Sequence, residues 1–148
     1  MMKKVLCLFL GVIIVFSLCG CDLASNGNEF ISGNVEKVKV EKGEPSKIYS
    51  DEDINAAVEC VKEYFKQNFH DCTLTSIGYY GDDEIEPNSD LSKSKGYDET
   101  IVLISSFDTG PTNGASTGFE PNETYTGCTW TLGRKNGGNW ECVNYGFC

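Results

Sequence analysis

The chain has 148 residues, enough for one domain and too few for two of ordinary size. It carries 12 Lys and Arg against 22 Asp and Glu, a net charge of −10 at pH 7, and 40% hydrophobic residues. Arg134 is the single arginine, and after residue 20 no basic run exceeds Arg134-Lys135, so no phosphate-tracking surface and no nucleic-acid partner are expected.

The first twenty residues take a large share of the apolar content. Met1 to Lys4 is a short basic start, and Val5 to Leu18 is a stretch of fourteen residues without a charge. That is the pattern of a secretory leader. A spanning helix would need about 20 apolar residues, and Asp22, Ser25, Asn26 and Asn28 follow at once. The stretch ends in Leu18-Cys19-Gly20-Cys21, which resembles the lipobox of bacterial lipoproteins. In that family the thiol at the position of Cys21 receives a diacylglyceryl group and the leader is removed before it. The resemblance therefore implies a lipid attachment site at Cys21 and a protein held on the extracytoplasmic face of the cell membrane. Each buried methylene contributes about 0.8 kcal/mol, so two or three acyl chains anchor firmly where one does not. Without Lys3 and Lys4 the mature chain has ten basic and twenty-two acidic residues, net −12, which keeps it soluble and self-repelling on a crowded surface.

Residues 1–20 are thus expected to be the signal peptide, 21–48 the lipidated amino terminus and a flexible linker, and 49–148 a small α+β domain. The linker is rich in Ser, Asn, Gly, Glu and Lys. Val35, Val38 and Val40 within it leave a short edge strand open as the other reading. Four cues then start a helix at Ser50. Asp53 completes a capping box, Asp51 and Glu52 suit the helix dipole, and Tyr49 stands at staple spacing from Ile54. Ile54, Ala57, Val58, Val61, Phe65 and Phe69 recur with helical period, so the helix should run to about Asn68.

Three or four strands should follow. Cys72 to Tyr80 is β-branched and aromatic, Glu99 to Phe107 contains the apolar run IVLI, and Thr124 to Arg134 with Asn139 to Phe147 flanks Asn136-Gly137-Gly138. A turn centred on the two glycines sets Trp130 opposite Tyr145, Leu132 opposite Val143 and Arg134 opposite Glu141. The expected fold is one amphipathic helix on a three- to four-stranded antiparallel meander. Gly81 to Tyr97 and Asp108 to Glu123 read as long loops, where binding function tends to sit.

The helix-then-meander order resembles the cystatin-like and NTF2-like class. The stretches YSDEDINAAVECVKEYFKQNF, CTLTSIGYY and ETIVLISSF, with the Trp-bearing end hairpin, are similar to small lipoproteins of Gram-positive gut bacteria, over about residues 49 to 147. The likeness implies a fold and a location, and no activity.

Candidate chemistry is sparse. His70 is the only histidine and lies between Phe69 and Asp71, with Cys72 nearby. A catalytic pair meets in space rather than in sequence, and a histidine at a helix C-terminus is explained by the dipole and the open carbonyls. Asp82, Glu84, Glu86, Asn88 and Asp90 alternate like a calcium loop, but its sixth and twelfth positions, Pro87 and Lys93, depart from the required Gly and Glu. No cofactor, metal or catalytic residue is expected.

Of the five cysteines after Cys21, an extended last strand would hold Cys142 and Cys148 about 20 Å apart at ~3.3 Å per residue, Cys128 and Cys142 would point to opposite faces, and three turns of helix separate Cys60 from Cys72. Buried thiols acting as small hydrophobes are the default expectation for all five. The expected function is a non-catalytic module binding a protein, peptide or small ligand, with Trp140, Tyr79, Tyr80 and Phe119 as contacts wherever they are exposed. The alternative is an enzyme with an NTF2-like pocket, which requires His70 and a carboxylate in one cavity. Protease inhibition by analogy with cystatins ranks last, because no QxVxG-type hairpin is present.

Overall fold

A computed structural model of the chain describes residues 31–112, 118–146 and 148. The leader, the lipobox with Cys21 and the first part of the expected linker lie outside the described residues. Strand β1 (Lys39–Lys42) comes first, then helix α1 (Asp51–Asn68) and strand β2 (Cys72–Tyr79). A 3-10 turn, Asp82–Glu84, leads into helix α2 (Ile85–Ser94), and β3 (Glu99–Thr109), β4 (Thr124–Arg134) and β5 (Glu141–Gly146) complete the chain. The strands form one sheet in the order β1-β2-β3-β4-β5.

Helix α1 begins where the local chemistry dictates. The Ser50 hydroxyl accepts from the Asp53 amide at 3.2 Å, and the Asp53 carboxylate accepts from the Ser50 amide at 3.3 Å, so two otherwise unpaired donors are satisfied reciprocally. Ala57, Val58, Val61, Phe65 and Phe69 are buried along one stripe. That stripe lies on the sheet face built from Leu74 and Ile77 of β2, Ile101, Leu103 and Phe107 of β3, and Trp130 and Leu132 of β4. One end of this core is almost wholly aromatic: Phe65, Phe69, Phe107, Phe119, Tyr125, Trp130 and Tyr145 are linked through ring centroids 4.5 to 6.0 Å apart.

The fold is α+β, as the sequence implies, but the sheet is a five-stranded mixed sheet rather than a three- to four-stranded antiparallel meander. Strands β2 to β5 keep the antiparallel order. The addition is β1, which pairs parallel to β2 with Val40 opposite Ile77. Asn34 bridges Thr73 before it, so an edge strand does form, but over Lys39–Lys42 and after a turn at residues 36–37 rather than over 35–40. With α1 spanning the return path, β1 and β2 must run the same way. The segment ahead of β1 is tied to the far end of α1, Gly33 donating to the Lys66 carbonyl at 3.1 Å and the Asp71 amide to the Ile31 carbonyl at 2.9 Å.

A second correction concerns Gly81 to Tyr97, read as a loop. It holds α2, which packs on the face opposite α1 over β3 and β4. Val102 and Thr131 are buried there, outside the main core, and the Thr131 hydroxyl reaches the Asn88 side-chain oxygen at 3.4 Å. The helix presents Ser89 and Ser92 to the sheet, both buried. Small side chains let a short helix sit close, and sequence periodicity does not register them as an apolar stripe.

The end hairpin is half as expected. Trp130 does face Tyr145, but Leu132 faces Cys142 rather than Val143, and Gly133 rather than Arg134 faces Glu141. The turn is centred one position earlier than the glycine pair: Asn136 and Gly137 hold φ of 52° and 65°, and the Gly138 amide donates to the Lys135 carbonyl at 2.9 Å. Two positive φ values in a two-residue turn match the twist of the strands. A register shift between Thr131 and Leu132 then restores the distal pairing.

The thiol expectation is overturned for two of the five cysteines, because Cys128 and Cys148 form a disulfide. Thr129 faces Gly146, which sets Cys128 beside the last residues of the chain. Gly146 has φ 148°, a value that side chains with a Cβ rarely adopt, and it lets the end leave the strand direction.

Candidate groove between α1 and the end hairpin

One turn of α1 outward from the core stripe, Ala56, Cys60, Glu63, Tyr64 and Gln67 share a flank, as their spacing of three and four residues requires. Against this flank stand Arg134, Trp140 and Cys142 of the end hairpin. Between them lies a groove of about 410 Å³.

Trp140 fixes one wall. Its Nε1 donates to the Asp53 carbonyl at 3.0 Å, its ring meets Tyr49 edge-on at 5.5 Å, and the Arg134 guanidinium sits 4.4 Å from its centroid. The Tyr49 hydroxyl is used as well, donating to the Thr100 carbonyl at 2.8 Å. Arg134 forks to Asp53 at 2.5 Å and Glu99 at 2.7 Å, so a charge of which only 12% is exposed is neutralised on two sides. Tyr64 closes the other end, 6.0 Å from Trp130 and 5.7 Å from Tyr145.

Burial pushes the Cys142 thiol up to about 12 and raises Cys60 too, so both rest as thiols at neutral pH and the thiolate is the minor form. Burial likewise raises the Tyr64 phenol. The carboxylate of Glu63 is occupied by Gln67 at 2.8 Å and by Lys66. What remains is an aromatic and apolar slot with a polar rim, the composition of small-ligand and peptide sites.

A second groove of about 330 Å³ opens between the start of α1 and β1, lined by Val40, Pro45, Ile54 and Tyr79 among others. There the Tyr79 hydroxyl, pushed up to about 12 by burial and by Asp82, donates to the Asp82 carboxylate. Asp82 also accepts from the Ser46 hydroxyl at 2.6 Å and the Lys47 amide at 2.9 Å, and these donors hold its carboxyl below the usual range. It is the clasp of the β1–α1 connection. Asp82, Glu84, Glu86, Asn88 and Asp90 run along the 3-10 turn and α2, where alternate residues diverge around the axis. Among the described residues no group of three or more His, Cys, Asp or Glu could hold a metal ion.

Of the expected contacts, Trp140 and Tyr79 are core residues, Phe119 packs among the aromatics, and Tyr80 is exposed at 45% with its hydroxyl on Glu41. His70 follows α1, whose C-cap is Phe69. It lines none of the four grooves described for this fold, whereas Asp71 and Asp108 line one of about 200 Å³ at the end of β2 and β3. Sequence reasoning missed the Cys60–Cys142 juxtaposition and the role of Arg134 as the tie between α1, β3 and β4. The first was hidden by a hairpin register one step off, and the second required knowing which helix packs on the sheet.

The Arg134 fork gives a pH-dependent expectation. Arg134 first, then Ser50, holds the Asp53 carboxyl below its ordinary value. A depressed carboxylate contributes stability above its unfolded pKa of about 3.9, and that contribution is lost as pH falls through the lower folded value. Arg134→Met should therefore cost about 2 kcal/mol in urea unfolding at pH 7, discounted because both carboxylates keep about a third of their exposure. The gap between variant and parent should shrink below pH 4. A gap that stays constant down to pH 2 would mean that the fork acts through packing alone.

Comparison with protein-family models, with curated proteins and with solved structures found no match.

Proposed function

We propose that this chain is a membrane-anchored extracytoplasmic lipoprotein whose domain is a non-catalytic binding module for a protein, peptide or small molecule. The observation that carries the reading is Leu18-Cys19-Gly20-Cys21 closing a charge-free leader of fourteen residues, with Cys21 as the lipid attachment site. The Cys128–Cys148 disulfide supports it, since such bonds persist in oxidising compartments. So does the groove between α1 and the end hairpin, an aromatic and apolar slot with a polar rim. The alternative, an enzyme with an NTF2-like pocket, would need His70 and a carboxylate to line one cavity. The cystatin-like and NTF2-like likeness rests on α1 preceding the meander, and fold alone licenses no function.

The test is Cys21→Ser, followed through membrane and soluble fractions, together with intact mass of the parent. The parent is expected in the membrane fraction, with a mature amino terminus heavier than the bare sequence by its acyl chains, and the variant in the soluble fraction or unprocessed. A variant as membrane-bound as the parent after leader removal, or a parent with an unmodified terminus, overturns the proposal.

A further inference from the structure

We propose that Cys60 and Cys142 form a dithiol site which a small disulfide oxidant converts into a second disulfide, fastening α1 to β5 across the floor of the groove. Neither thiol is in a disulfide in this structure, and the contacts of Cys60 bring it to the segment that carries Cys142. The Cys60 Sγ donates to the Trp140 carbonyl at 3.2 Å and accepts from the backbone amide of Cys142, so the sulfur lies over the stretch 140–142. Cys142 stands opposite the fully buried Leu132, which turns its side chain to the face that α1 covers. Both residues line the same groove, and the Cys60 sulfur is near enough to Cys142 to disfavour its ionisation. Cys72 is no competitor: it faces Thr109 at the end of β3 remote from the Ile101–Leu132 pair.

The balance is that of thiol–disulfide exchange. The Cys60 thiolate attacks one sulfur of the oxidant, whose S–S bond breaks and whose first half leaves as a thiol with the proton. The Cys142 thiolate then attacks the Cys60 sulfur, and the second half leaves as a thiol. Two electrons and two protons pass to the oxidant, one S–S bond is broken and one is formed. Cys60 attacks first because burial raises Cys142 more strongly. Burial keeps both thiols mostly protonated at neutral pH, so the exchange runs through the minor thiolate form and is slow. The inference stands on these contacts and is independent of the lipid anchor.

The experiment incubates the folded full chain with oxidised glutathione, quenches in acid, alkylates under denaturing conditions and maps peptides by mass. The expected product joins the peptides containing Cys60 and Cys142 with loss of two hydrogens, while Cys72 is recovered alkylated. In Cys142→Ser the glutathione should remain trapped on Cys60, and in Cys60→Ser residue 142 should be recovered as an alkylated thiol. Recovery of Cys60 and Cys142 as two alkylated thiols, or as two separate glutathione adducts, overturns the proposal. So does a 60–142 link that forms only in denaturant.

Discussion

Replacing Trp130 with alanine is expected to lower the free energy of unfolding by about 4 kcal/mol, in the middle of the range for removing a buried ring. Trp130 is 1% exposed, and its ring lies 5.3 to 6.0 Å from Tyr64, Phe69 and Tyr145. It therefore joins α1, β4 and β5 in one contact set, and the void left by truncation is bordered by large rings that cannot all move in to fill it. A polar component adds to the loss, since Nε1 donates to the Ser105 hydroxyl at 2.8 Å in a buried site. Trp130→Phe separates the two terms. It keeps most of the aromatic surface and leaves the Ser105 hydroxyl without this donor, and an unsatisfied buried hydroxyl costs about 1–3 kcal/mol. Urea unfolding followed by far-UV circular dichroism measures both. A cost below about 1 kcal/mol for the alanine variant would mean that the aromatic end of the core is not the stabilising unit described above.

The part of this fold that is legible in the sequence is the part specified by neighbours along the chain. Ser50 and Asp53 are three residues apart, and their reciprocal cap forms as the capping pattern requires. The stripe from Ala57 to Phe69 and the apolar run of β3 also need nothing distant to be recognised. Helix α2 and strand β1 are different. The segment IEPNSDLSKS combines a proline with three serines and has no apolar stripe, so its helical state is decided by the sheet face that Ser89 and Ser92 settle against. Strand β1 is a parallel partner of a strand more than thirty residues later, and no local pattern encodes such a pairing.

The candidate groove was lost to a smaller error. A uniform glycine-turn register sets Leu132 opposite Val143, whereas the one-residue shift between Thr131 and Leu132 sets it opposite Cys142 and turns that thiol to the face of Leu132. Because side chains alternate with period two, a single step sufficed to turn a thiol that meets Cys60 into one that faces away. The distal register was right, and it contained the clue to the disulfide: with Trp130 opposite Tyr145, Cys128 lies two residues further on, beside the chain end that carries Cys148. An extended end keeps Cys148 away from Cys142, and its pairing with Cys128 depends on the chain end leaving the strand, which Gly146 permits.

That disulfide yields the other large expected effect, because it closes a loop of 20 residues around β4, the turn and β5. In the chain-entropy account a closure of this length stabilises by about 3 kcal/mol through restriction of the unfolded chain. Cys148→Ser should therefore unfold about 3 kcal/mol more easily, and mild reduction of the parent should reproduce the loss. The folded state argues for a further, local consequence. Strand β5 is the outer strand on its side of the sheet, has only β4 as a hydrogen-bonded neighbour, and carries Tyr145, which is 39% exposed yet packs on Phe69 and Trp130. Released from Cys128, its end should fray first, so amide exchange in β5 should accelerate while that of β2 and β3 follows only the global loss. If exchange instead rises equally in every strand, the bond acts on the unfolded chain alone. If stability changes by less than about 0.5 kcal/mol, native strain must offset the entropic gain, and the aromatic contacts of Tyr145 alone are sufficient to hold the strand in place.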